Sequence, residues 1–156
     1  MGSEDFFTFR EYMKKEYDLL TASMEDYLEM IYRLSRDSGF TRIHELATSL
    51  NVQPPSATKM VQKLAELKLV NYEKYGIIIL TEQGKLMGST LLERHNTIES
   101  FLKLIGISQG VLEETEKIEH TISPETLEYL KDFIEFIKQN PQFISSFDNY
   151  RKNKEI

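Results

Sequence analysis

The sequence predicts a mainly α fold: an N-terminal winged helix-turn-helix with a short β-hairpin wing, followed by an all-helical association domain. Three observations predict it. Two short amphipathic stretches, residues 41–50 and 54–67, are joined by a tight turn at 51–53, and Pro54 and Pro55 open the second. Proline is free of penalty there, because an N–H in a first helical turn has no intrahelical partner. Directly afterwards, residues 69–80 are β-branched and aromatic with a turn near Lys74 to Gly76, a hairpin placed where a wing belongs. From Thr81 onward the apolar positions recur mostly three and four apart, the helical period.

Composition narrows the class. At 156 residues, 40% hydrophobic and 28% charged, the chain can build one ordinary core, or a small reading domain plus an association domain. It reads as soluble and globular. No apolar run approaches the roughly 18–20 residues of a membrane span, and the first twenty residues lack a secretory apolar core, so a cytoplasmic protein is expected. With 0 cysteines, disulfides, thiolate metal sites and cysteine catalysis are excluded. Any metal must be held by oxygen and imidazole. The net charge of −6 argues against indiscriminate nucleic-acid binding. Between residues 42 and 75, however, Arg42, Lys59, Lys63, Lys68 and Lys74 face only Glu45, Glu66 and Glu73. No internal repeat or low-complexity segment occurs.

Taken in order, residues 4–20 place Phe6, Phe9, Met13, Tyr17 and Leu20 at helical spacing, an amphipathic helix packed on the rest. Ser23 reads as the N-cap of the next helix, with Asp26 three residues on in a capping-box-like start. Tyr27, Leu28, Ile31, Tyr32 and Leu34 form its inward stripe, and Ser38-Gly39 ends it. The helix over 41–50 turns Ile43, Leu46, Ala47 and Leu50 inward. In the helix over 54–67, Met60, Val61 and Leu64 pack, which leaves Ser56, Thr58, Lys59, Gln62 and Lys63 to reach base edges and phosphates. An ordinary helical hairpin with a solvated face is the plainer alternative, but the wing that follows favours the helix-turn-helix.

Thr81 caps a long helix through about Ile105, closed by Gly106. Its apolar face (Leu86, Thr90, Leu91, Ile98, Phe101, Leu102 and Ile105) is wider than one partner helix needs, and the surplus reads as a dimer surface. A helix over 108–121 follows. Ser123-Pro124-Glu125 starts another, with Leu127, Leu130, Phe133, Ile134 and Ile137 periodic and Pro141 beyond its end. Phe143, Phe147 and Tyr150 continue at helical spacing to a polar end. The expected division is an extra helix at 1–22, a winged helix-turn-helix at 23–81, and a helical metal-binding and dimerisation domain at 82–156.

The chemistry concentrates in Glu116-Lys117-Ile118-Glu119-His120. Spacings of three and four bring Glu116, Glu119 and His120 to one helix face. Two carboxylates and an imidazole so close repel or stay hydrated unless a cation sits between them. Asp26 and Glu29, three apart, and His95 offer similar groups upstream. Alone, Asp26 would merely favour a helix N-terminus, Glu29 would be solvated, and a single histidine would be a packed residue. Together the three segments are expected to close around a divalent metal that holds the DNA-reading helix in its working position. A carboxylate-bridged di-metal enzyme is the rival class, but it wants Glu-x-x-His from each of two helices. Here the Glu116–His120 spacing is one residue longer and occurs once, so no enzyme is expected.

These segments also carry a resemblance. Ser23-Met24-Glu25-Asp26-Tyr27-Leu28-Glu29, Thr58-Lys59-Met60-Val61-Gln62-Lys63-Leu64, Tyr72-Glu73-Lys74-Tyr75, Arg94-His95 and Ile118-Glu119-His120 resemble, in order and separation over about residues 22–140, the diphtheria-toxin-repressor family of metal-dependent repressors, and closely its manganese-sensing branch. The resemblance implies an N-terminal winged helix-turn-helix, a helical dimerisation domain, and a site for two metal ions per subunit. The implied ligands are Asp26, Glu29, His95, Glu116, Glu119 and His120. Iron-sensing relatives carry methionine where Asp26 stands and cysteine where Glu116 stands, and replacing soft sulfur with hard oxygen suits Mn2+, with Fe2+ as the alternative. Those relatives also have a C-terminal SH3-like domain, for which this chain is too short.

The expected DNA contacts are Arg42, Gln53, Pro55, Ser56, Thr58, Lys59, Gln62, Lys63 and Lys74. Pro55 stands where close relatives have serine. Glu99, four residues after His95, is within reach of a metal but is expected to be solvated. The implied role is a manganese-responsive repressor of metal-uptake genes, a homodimer on a palindromic double-stranded operator, with no membrane and no small-molecule substrate. The alternatives are an iron(II)-responsive repressor, or a winged-helix regulator that answers to an organic ligand.

Overall fold

The computed structural model describes Thr8 and residues 20–155, so the helix expected over residues 4–20 lies almost wholly outside the described residues. Helix α1 (Ala22–Ser35) starts earlier than the sequence suggests. Thr21, not Ser23, is the N-cap: its backbone is extended, and its Oγ1 accepts from the Met24 N–H at 3.2 Å. Ser23 is already inside the first turn and cannot cap it. The helix also stops at Ser35 rather than at Ser38-Gly39, and the Gly39 N–H closes the end by donating to the Ser35 carbonyl at 2.9 Å.

Thr41–Arg42 is a second departure. These residues form strand β1 rather than the start of a helix, and α2 (Ile43–Leu50) begins only after them. Asn51, left-handed at φ 56°, turns the chain into α3 (Pro54–Glu66). Strand β2 (Val70–Tyr72), a 3-10 turn over Lys74–Gly76 and strand β3 (Ile77–Leu80) then form the wing. The sheet order is β1-β3-β2, all antiparallel, with Thr41 opposite Ile78 and Tyr72 also opposite Ile78 from the other side. The added strand gives β3 two partners, which a lone hairpin would lack.

The second half is helical. Helix α4 (Glu82–Leu104) is capped by Thr81, whose Oγ1 accepts from the Gly84 N–H at 3.0 Å. Helix α5 (Val111–Glu119) is shorter than the expected 108–121, because it begins only after Gly110, which is left-handed. Helix α6 (Pro124–Gln139), capped by Ser123, and α7 (Pro141–Lys154) complete the chain.

Two cores result. Leu28, Ile31, Leu46, Ala57, Val61, Leu64 and Ile78 are fully buried in the first, and each large aliphatic among them contributes about 1.5–3 kcal/mol of transfer free energy. Ile98, Leu102 and Leu127 form the second. Helix α4 joins both: Leu91 belongs to the first core and Ile98 and Leu102 to the second. The single wide face expected on α4 is therefore divided between two cores, while Leu86 and Thr90 stay exposed. Helix α1 crosses α4 at Gly88, where an added Cβ would lie 2.7 Å from Tyr32 Cβ. The close crossing sets α1 against the C-terminal half as well as its own core.

Candidate metal centre

Helices α1, α4 and α5 bring the six expected metal-binding residues together. Asp26, Glu116, Glu119 and His120 form one group and Glu29, His95 and Glu119 a second, with the ligand atoms of each group within 4.8 Å of one another. The periods that placed them are local. One turn separates Asp26 from Glu29 on α1, and on α5 Glu116 and Glu119 sit one turn apart, with His120 at its C-cap. Their meeting is tertiary, produced by the packing of α1 and α5 against α4.

Glu119 is the hub. It is 1% exposed, its Oε2 lies 2.7 Å from His95 Nδ1, and its Oε1 lies 3.5 Å from His120 Nε2. His95 Nδ1 also meets Glu116 Oε1 at 3.3 Å, and His120 Nε2 meets Asp26 Oδ1 at 2.9 Å. Burial, then the negative charge of Glu119 and Asp26, pushes the Glu116 carboxyl up to about 7. Hydrogen bonds to Asp26 and Glu25 raise His120 to about 10 against the opposing effect of burial. His95 is raised by its hydrogen bond to Glu119. Protons here partly stand in for positive charge: the crowded carboxylates favour the protonated form of their neighbours. The donor set is oxygen and imidazole alone, which fits a hard or borderline divalent ion.

Four further residues join the centre. Glu25, buried on α1, receives Arg94 Nη2 at 2.8 Å and lies 3.5 Å from His120 Nδ1, while Arg94 Nη2 also approaches His120 Nδ1 at 3.3 Å. This pair ties α1 to α4 at the rim. Both residues stand inside the motif segments of the sequence, but nothing local says that they meet. Arg33 Nη2 lies 2.7 Å from Glu29 Oε2, a contact the spacing of four allows. Glu99, expected to be solvated, instead faces His95 Nε2 at 3.3 Å and is bonded to Lys103.

On α3, Pro55, Ser56, Lys59, Gln62 and Lys63 stand exposed, with Thr58 half-buried. Gln53 is exposed at the helix N-cap, Arg42 in β1, and Lys74 in the wing turn. Ala57, Val61 and Leu64 occupy the inward face, and Met60, expected there too, is only half-buried. Helix α3 and its N-cap thus carry a set of exposed polar and cationic side chains.

Comparison with known proteins gives a consistent set of matches. A family model described as the iron dependent repressor, N-terminal DNA binding domain, matches residues 19–78, and one described as the iron dependent repressor, metal binding and dimerisation domain, matches residues 81–145. The chain is 41% identical over 135 residues to the HTH-type transcriptional regulator MntR of Listeria monocytogenes serotype 4b, covering 86% of this chain and 95% of that one. It is 38% identical over 136 residues to the protein of the same name from Geobacillus thermodenitrificans, covering 86% and 96%. Among solved structures it resembles the manganese regulator SloR, with a TM-score of 0.65 and 33% identity over 75% of this chain; it spans 55% of that structure's length.

Proposed function

The chain belongs to the iron-dependent repressor family of transcriptional regulators, and on that premise we propose that it is a manganese-responsive repressor of metal-uptake genes, acting as a homodimer on a palindromic operator in the cytoplasm. The family is one of DNA-binding regulators, not enzymes, and the chain carries its DNA-binding domain and its metal-binding and dimerisation domain. Among the described residues no helix is long and apolar enough to cross a membrane.

One observation carries the proposal. Asp26 and Glu29 ride on α1, within the DNA-binding match, whereas His95, Glu116, Glu119 and His120 ride on α4 and α5, within the other match. Bound manganese would supply positive charge that offsets the repulsion among these carboxylates. Asp26, Glu29, His95, Glu116, Glu119 and His120 are the proposed ligands, and the two overlapping groups support two ions per subunit. With α1 drawn onto α4 and α5, the reading domain is held at a fixed angle to the dimerisation domain. In a dimer this sets the two α3 helices about one DNA turn, roughly 34 Å, apart. Leu86, Leu112, Phe133 and Phe136 are exposed apolar residues of the second half and are candidates for the dimer contact. The DNA contacts are assigned to Arg42, Gln53, Pro55, Ser56, Thr58, Lys59, Gln62, Lys63 and Lys74.

A gel shift on the chain's own upstream DNA tests this. Manganese is expected to raise operator affinity by about 5–150-fold, the usual size of such coupling, and operator DNA must tighten manganese by the same factor. Glu116→Ala should abolish the effect. Affinity indifferent both to metal and to that substitution would favour a regulator with an organic ligand. Anaerobic competition between Mn(II) and Fe(II) decides the metal.

The proton shifts add a prediction for the metal-free chain. His120 holds its proton to about 10 in the folded state against an ordinary 6.5, so its contribution is fully present below about 6.5 and is lost as pH rises toward 10. Glu116 titrates near 7 against an ordinary 4.5, so stability falls across that interval too. Both slopes have the same sign. Melting temperature in the presence of a chelator should fall from pH 6 to pH 9. The increase produced by manganese should grow over the same range, because ligation requires the protons to leave. Thermal melts at the two pH values measure this, and a manganese effect that shrinks toward pH 9 contradicts it.

A further inference from the structure

The wing carries a residue that the fold alone does not explain. The Glu73 N–H donates to the Ile77 carbonyl at 2.8 Å and closes the tip of the hairpin. Within that tip Tyr75 and Gly76 are both left-handed, at φ 65° and 72°. Two successive positive φ angles at a hairpin tip favour asparagine followed by glycine. Gly76 fits that pattern. Tyr75 does not, because its Cβ crowds the following carbonyl there, and a bulky side chain in this region is an outlier. The strain secures no packing: Tyr75 is 89% exposed, more than any other large apolar side chain among the described residues. Tyr72, three residues earlier on β2, instead packs against the first core. A conformation that costs stability and buries nothing points to a contact made outside the chain.

The position of the tip says what the ring would meet. Gly76 lies against Ile43, the first residue of α2: an added Cβ would stand 3.7 Å from Ile43 Cβ and 3.8 Å from its N. Arg42, one of the proposed DNA contacts, pairs with Ile77 across the sheet. In a helix-turn-helix the first helix crosses the sugar–phosphate backbone while the second enters the major groove. A ring beside the start of α2 is therefore set over the strand that divides the major groove from the next minor groove. Charge does not account for a contact there, since Glu73 offsets Lys74 at the same tip. An aromatic face does, because it packs on nucleic acid with little regard to sequence.

We propose that Tyr75 packs its ring against the deoxyriboses at the edge of the minor groove flanking each half-site, an apolar contact that anchors the wing without reading a base. The inference rests on the DNA-reading function proposed above and extends its contact surface beyond the major groove entered by α3. The left-handed tip holds the ring out in solvent, so that little rearrangement is needed when DNA arrives.

The manganese-loaded full chain on its own upstream DNA tests this, with wild type, Tyr75→Asn and Tyr75→Phe compared. Asparagine tolerates the left-handed backbone and removes the ring, whereas phenylalanine keeps the ring and drops the hydroxyl. In gel shifts Tyr75→Asn should lower operator affinity by about 5-fold or more, the lower edge of what an aromatic ring stacked on a base is worth. The salt dependence should be unchanged, because no phosphate loses a cation. Hydroxyl-radical footprints should lose protection of the sugars flanking each half-site in Tyr75→Asn and keep it in Tyr75→Phe, which should bind as wild type does. Without DNA, Tyr75→Asn should raise the melting temperature, so stability and operator affinity move in opposite directions. A lowered melting temperature would make Tyr75 a residue of the fold and overturns the proposal. Equal losses in Tyr75→Phe and Tyr75→Asn would make the contact a hydroxyl hydrogen bond, and they overturn it too. If wild type with manganese does not bind operator, the DNA-reading function fails and this contact falls with it. If wild type binds and Tyr75→Asn binds equally well, the Tyr75 contact alone is wrong.

Discussion

Glu119→Gln is expected to remove the manganese response altogether. Glu119 is the one side chain common to both groups, almost wholly buried, with one oxygen toward each histidine. Glutamine preserves the shape but replaces a charged two-oxygen acceptor with a neutral amide, one end of which is a donor. That donor would point at either His95 or His120, so one imidazole loses its acceptor and both groups lose a negative charge. Manganese affinity should fall by more than about 100-fold, the upper limit for losing a group outside the ligand shell, and operator affinity should become indifferent to metal. Glu113→Gln is the control on the same helix: that carboxylate is exposed, pairs with Lys117, and should leave both measurements unchanged. Circular dichroism checks that each variant folds, and calorimetry and gel shift supply the readout. A Glu119→Gln chain that still answers to manganese would mean that the two groups are not the metal centre.

The sequence carried the site more completely than the fold. Spacings within a helix are local, so the pairs Asp26–Glu29 and Glu116–Glu119 can be read from a period of 3.6. The hairpin and the two short helices were equally legible, since Pro54-Pro55 and the β-branched run are local signals. What escaped was decided between distant segments. Thr41–Arg42 became a strand because β3 offers them a ladder across the whole helix-turn-helix, and no local pattern announces that partner. Thr21 and Ser23 are both competent caps, and only the backbone path into the first turn chose Thr21. The Glu25–Arg94 pair joins helices separated by the entire reading domain. The Arg33–Glu29 pair has a spacing of four that the sequence displays, but spacing alone does not say that the pair borders a buried cluster.

Gly84→Ala is expected to destabilise the protein by about 3 kcal/mol or more, at or beyond the upper end of ordinary overpacking. Helix propensity alone predicts the opposite, since alanine is favoured over glycine by about 0.8–1 kcal/mol in a helix interior. The difference lies in the corner that Gly84 occupies. Thr81 turns the chain from β3 into α4, its N–H donating to the Leu69 carbonyl at 3.1 Å and its hydroxyl reaching the Lys68 carbonyl at 2.8 Å. Gly84 lies against that same Leu69 carbonyl: an added Cβ would stand 1.9 Å from the oxygen and 2.9 Å from the carbon. Both obstacles are backbone, so no rotamer change relieves the clash. Either α4 shifts or the end of α3 does, and Leu69, 2% exposed, leaves the core with it. Denaturant melts of the chelated protein measure the loss. Ser89→Ala, an exposed position on the same helix, should be neutral or slightly stabilising. The corner also bears on the proposed function, because α4 carries His95 while its start is bolted to the turn between α3 and β2. In whatever Gly84→Ala protein remains folded at low temperature, manganese should bind nearly as before through the ligands of α4 and α5. Operator affinity should nonetheless fall, because the same metal would now hold the reading domain at a different angle. If the variant is as stable as wild type and binds operator normally, α4 does not set that angle and the metal must act on the reading domain through α1 alone.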